Sequence, residues 1–134
     1  WAKRLQVPMV NVDCIRLAMF ERPNVSSMEE FVWFSAKKMV TALFLAGHEV
    51  VVLDGCFITQ KRREPWKSGR HWATLCVHFP VDERICLQRA MNDSRSDLLD
   101  IIRAQSDQML PPNPDHEQMA AAVIQYENPP VLPA

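Results

Sequence analysis

Glu49-Val50-Val51-Val52-Leu53-Asp54 is an apolar run without alternation, the pattern of a parallel strand buried on both faces. The run closes on a carboxylate, and the carboxyl ends of such strands are where chemistry collects in open α/β folds. Just upstream, Val32, Ala36, Met39, Val40, Leu43 and Phe44 fall on one face of a helix. Ser27 is placed to cap that helix, with Glu30 three residues on in the capping-box arrangement, and Gly47 is placed to end it. Further upstream, PMVNVD (Pro8 to Asp13) reads as a short strand ending at an acidic loop. WAKRLQVP reads as the last turns of a helix; since the chain opens on Trp1 rather than Met, N-terminal truncation is expected.

Downstream, a polar and basic segment from Gln60 to His71 precedes a third strand at Ala73 to Phe79. Asp82 is placed to cap a helix through Met91, the polar residues Asn92 to Ser96 interrupt it, and a second helix runs from Asp97 to Met109 before PPNP stops it. AAVIQYE, ahead of the Pro-rich end, reads as a strand or a short helix. This order predicts one α/β domain over residues 1–134, with a mostly parallel sheet flanked by helices.

Composition narrows the function. A hydrophobic content of 48% in 134 residues fits one packed core. With 15 Lys and Arg against 16 Asp and Glu, no whole-molecule field draws nucleic acid or a membrane surface, so a polyanion must be met by a local cluster. Gly47, His48 and Glu49 break the best apolar stretch, short of the roughly 18 residues a spanning helix needs, so a soluble cytoplasmic protein without a membrane partner is expected. Cys14, Cys56, Cys76 and Cys86 form no CxxC pair, which signals neither a disulfide framework nor a structural metal; buried thiols are expected instead. The histidines at 48, 71, 78 and 116 show no triad-like grouping and take no catalytic role.

Three clusters carry candidate chemistry. In NVDCIR, Asp13 and Arg16 lie three apart after a strand, where an Asp can accept the proton of an attacking hydroxyl and an Arg can hold a phosphate; the plain alternative is a capped turn with an ion pair. Asp54 can reach a metal or its waters, or merely cap its strand end. KRREPW (Lys61 to Trp66) can grip a phosphate or stack a base, or form a solvated helix start, and Arg89, Arg95 and Arg103 straddle an interrupted helix pair.

In order and spacing these segments resemble the kinase domain of polynucleotide kinases and related P-loop kinases. There an N-x-D-x-x-R loop, a long helix ending in Gly, a VVVD-x-T-N strand and an R-K-R-R-x-x-W helix start follow one another. The counterparts here are NVDCIR, the helix ending at Gly47, VVVLDGCF and TQKRREPW, and a later D-x-x-x-C-L-x-R, lid helix and Pro-rich bend match DERICLQRA and QMLPPNPDHE. The resemblance implies a three-layer P-loop kinase sandwich with a lid over residues 92–116, using ATP and Mg²⁺ to phosphorylate a hydroxyl, above all the 5′-hydroxyl of a nucleic acid. It implies Asp13 as general base, Arg16, Arg62 and Arg63 as substrate contacts, Arg89 and Arg95 as catalytic lid cations, and Asp54 as the cofactor- and metal-binding acid.

The chain departs from that pattern in three places. It holds no GxxxxGK[ST] loop, so the nest for the β- and γ-phosphates and the central first strand feeding it are absent from these residues. An upstream piece of roughly 15 to 25 residues would supply them. Gly55, Cys56 and Phe57 follow Asp54 where the family carries small polar residues, and Arg89 and Arg95 are six apart, wider than the family's pair. Alternative readings are a degenerate kinase-like binding module without ATP, a small-molecule kinase, and a nucleic-acid-binding module using Lys61, Arg62, Arg63, Trp66 and Trp72.

Overall fold

The structure is a computed structural model that describes residues 2–21 and 26–123. The elements in chain order are α1 (Ala2–Leu5), β1 (Met9–Asn11), α2 (Val12–Phe20), α3 (Glu29–Leu45), β2 (Val52–Asp54), α4 (Gln60–Arg63), β3 (Leu75–His78), α5 (Glu83–Asn92), α6 (Leu99–Gln108), α7 (Pro114–Glu117) and β4 (Ala120–Val123). The architecture is mixed α/β, and the chain divides into two compact units, Trp1–Cys56 and Phe57–Ala134.

In the first unit β1 and β2 pair in parallel, Met9 opposite Val52, Val10 opposite Leu53 and Asn11 opposite Asp54. α3 packs against β1 and α2. Its buried residues, Val32, Ala36 and Val40, recur every fourth position and meet Val10, Val12 and Ile15 in a small apolar core. Met39, expected on the same face, is exposed.

The strand expected over Pro8 to Asp13 stops at Asn11, because the Asn11 side chain accepts the Cys14 N–H at 2.8 Å and so begins α2, a helix the sequence pattern did not announce. The Ser27 capping box does not form. Residues 26–28 wind into a 3-10 turn and Met28 takes the N-cap of α3 without a side-chain bond. A residue already inside a helical turn cannot take the extended conformation from which a hydroxyl caps. At the other end the expectation holds. Gly47 (φ 95°) donates to Phe44 O and His48 to Leu43 O, the paired bonds of a left-handed glycine stop.

EVVVLD was expected to be buried on both faces. Only Val52–Asp54 pairs, Val51 to Leu53 are half-exposed and Val50 is 54% exposed. The reason is positional: β2 has a hydrogen-bonded neighbour on one side only among the described residues.

In the second unit β3 and β4 pair in parallel, Leu75 opposite Ala120 through His78 opposite Val123. AAVI thus enters a strand through Val123, and the residues after it lie outside those described. Asp82 caps α5 by accepting the Arg84 N–H at 2.8 Å, as expected, and α6 packs on α5 after a 3-10 turn at Ser96–Leu98. Trp66 is buried, edge-on to Phe57 and stacked on Trp72 at 6.5 Å between centroids, and its carbonyl accepts the Thr74 hydroxyl. The four cysteines are thiols; Cys14 and Cys56 are exposed and Cys76 and Cys86 half-buried, so full burial was the wrong expectation. Among the described residues no helix is long and apolar enough to cross a membrane.

Candidate functional site

The carboxyl ends of β1 and β2 lie side by side, and the register puts Asn11 opposite Asp54. Asn11 Nδ2 donates to Asp54 Oδ2 at 2.8 Å while its Oδ1 caps α2. One side chain therefore aims the Asp54 carboxylate and starts the helix that carries Asp13 and Arg16. Gly55 permits the close docking of the strand end: a Cβ there would meet Val12 Cγ2 at 3.0 Å and the Trp33 ring at 3.2 Å.

Asp13 and Arg16, one turn apart on α2, are joined through Arg16 Nη1 and Asp13 Oδ1 at 2.5 Å. The two are held very differently. The Asp13 side chain is 64% exposed, whereas that of Arg16 is 12% exposed. Glu29 clasps Arg16 bidentately, Nε to Oε1 at 2.7 Å and Nη2 to Oε2 at 2.8 Å, and Trp33 Nε1 donates to the same Oε2 at 3.1 Å. The Glu29 hydrogen bond, reinforced by the nearby charges of Glu29 and Asp13, raises the Arg16 pKa further, so the guanidinium is a permanent cation. Sequence reasoning missed Glu29 and Trp33. The signal was one residue away: of the adjacent acids in SSMEEF, Glu30 was taken as a capping residue, and Glu29 is the one turned toward α2.

The remaining expected residues belong to the second unit. Arg63, expected to touch substrate, is instead 2% exposed. Its Nε and Nη2 hold Glu117 at 2.6 and 2.8 Å, its Nη1 donates to Phe57 O and Leu110 O at 2.7 and 2.9 Å, and Glu117 Oε1 also accepts the Asn113 N–H. A guanidinium so enclosed ties the loops at Phe57 and Leu110 to α7 and has no face to offer a ligand. The Arg63 hydrogen bond lowers the Glu117 pKa. Arg62 is half-buried, and its N–H bonds to the Thr59 cap of α4. Arg89 is exposed in the last turn of α5. Arg95 follows α5 and forks onto Asp97 through two 3.0 Å bonds, and Arg103 pairs with Asp100. A cavity of ≈ 100 Å³ lined by Gln60, Glu64, Lys67, His116, Glu117 and Gln118 is smaller than a nucleotide requires.

The residues fit the expected cofactors unevenly. Asp54 suits Mg²⁺, which is commonly held by one or two carboxylates with phosphates and waters supplying the rest. No group of three or more His, Cys, Asp or Glu is gathered for a metal among the described residues. The nucleotide phosphates find no Gly-rich nest in this sequence, so ATP does not fit these residues by themselves. No family model, no curated protein and no solved structure matches the chain.

Proposed function

We propose that this chain supplies the acceptor side of an ATP-dependent phosphotransferase, a P-loop kinase of the polynucleotide kinase-like group that phosphorylates a hydroxyl, with a nucleic-acid 5′-hydroxyl as the leading acceptor. One observation carries the reading: an exposed carboxylate, Asp13, and a fixed guanidinium, Arg16, emerge together at the carboxyl end of β1, beside Asp54 at the end of β2. In the proposed reaction Asp13 accepts the hydroxyl proton as the acceptor oxygen bonds to the γ-phosphorus of ATP and the bond from that phosphorus to the β,γ-bridging oxygen breaks, releasing ADP, and Arg16 binds a phosphate already on the acceptor.

Arg89 and Arg95 are the proposed lid cations, and Arg95 must leave Asp97 to act. Arg62 keeps its proposed substrate role, whereas the enclosed Arg63 has a structural one.

The test is ATP titration with Mg²⁺ on the full-length gene product, followed by transfer of the γ-phosphate to a 5′-hydroxyl oligonucleotide. Saturable ATP binding and a labelled oligonucleotide are expected. A product that binds no ATP removes the kinase reading and leaves the kinase-like binding module. ATP binding with transfer only to small hydroxyl compounds would reassign the acceptor.

A further inference from the structure

We infer that Glu29 is the positioning residue for Arg16, holding the guanidinium in the orientation in which it receives an acceptor phosphate; this rests on the phosphotransferase reading above. A guanidinium has five N–H donors. Glu29 occupies two of them through the bidentate contact and Asp13 a third, which leaves one hydrogen on each terminal nitrogen for an anion.

The two carboxylates bind Arg16 with unequal strength. The Glu29 contact is bidentate, is half-buried and is itself steadied by the Trp33 indole. The Asp13 contact is a single bond to an exposed side chain, a kind of pair that contributes little. An arriving phosphate therefore takes the two remaining N–H groups while Glu29 keeps the guanidinium in place.

Glu29 also carries a negative charge near the site, and its repulsion opposes the benefit of orientation. That charge is already matched by direct contact with the guanidinium, so orientation is expected to dominate.

The probe is inorganic phosphate, titrated into the full-length protein by calorimetry, with wild type, Glu29→Gln, Arg16→Ala and the double variant. Glu29→Gln should weaken phosphate binding about 3- to 10-fold, the cost of leaving one long side chain to be ordered by the ligand. The same substitution should change nothing in the Arg16→Ala background. Trp33→Phe, which removes only the indole bond to Glu29, should give a smaller loss in the same direction and serves if Glu29→Gln fails to fold. In the active enzyme Glu29→Gln should raise the acceptor KM with kcat nearly unchanged. Binding as tight as wild type or tighter, an equal loss without Arg16, or no phosphate binding by wild type would each overturn the assignment. Phosphate coupling without any ATP binding would sink the kinase reading alone, whereas a working kinase with an unchanged acceptor KM would sink only the role of Glu29.

Discussion

The Asp13 carboxylate is exposed and singly bonded, while the Arg16 beside it is enclosed by Glu29. On the proposed reading a base must be accessible and a phosphate grip must be rigid, and the two environments differ in that sense. Asp13→Asn in the full-length protein should lower turnover by about 100-fold or more and leave ATP affinity unchanged; a variant with near-normal kcat would remove Asp13 from the base role. The Arg63–Glu117 pair is predicted to act on stability alone. Arg63→Met strands a buried carboxylate and should cost about 3 to 5 kcal/mol in urea unfolding, whereas adding Glu117→Leu should restore much of it. Because Arg63 depresses the native Glu117 pKa, the contribution of the pair is complete above the ordinary Glu value of about 4.3 and is lost as pH falls through the lower native value. Acid unfolding of wild type and of the double variant should therefore differ in slope below that value. At this scale the sequence placed Asp13, Arg16 and Asp54 at strand ends and offered an Asp13–Arg16 ion pair as the plain reading, but it did not announce Asn11, Glu29 or Trp33 around them. Glu117 lies 54 residues from Arg63, and no local spacing announces such a pair.

Helix ends separate what local chemistry determines from what packing overrides. Asp82 caps α5 where its side chain and the following charged turn say it should, and Gly47 ends α3 where only a residue tolerant of positive φ fits without strain. Ser27 offers equally good local chemistry and is bypassed, because α3 begins at Glu29 and that first-turn acid is drawn to Arg16. Three substitutions separate these cases by thermal unfolding. Asp82→Ala should cost about 1 kcal/mol. Gly47→Ala should cost about the same or more, having nothing to collide with and only its backbone to strain. Ser27→Ala should stay within about 0.5 kcal/mol of wild type, and a full capping loss there would show that the hydroxyl does cap α3 in solution. The α2 helix escaped sequence reading because its start signal, Asn11, is also the last residue of a strand.

For the whole chain, the α/β class, the parallel pairing, the first three strands and the longer helices α3, α5 and α6 were legible from apolar runs and turn residues, whereas α2, α7 and the half-exposed state of β2 were not. Periodicity reports the environment a strand is suited to, and EVVVLD is suited to neighbours on both sides while having one among the described residues. Its open side carries none of the lysines, prolines or bulges that usually guard an edge, and Val50 is left exposed. The 134 residues alone should therefore self-associate with rising concentration in light scattering, and Val50→Lys should suppress this without lowering the melting temperature. Unchanged scattering in that variant would shift the blame to another surface. In the hands of anyone producing the protein, recovery in the soluble fraction then depends on how well β2 is shielded, so a charge placed at Val50 should raise yield more than any improvement to the core.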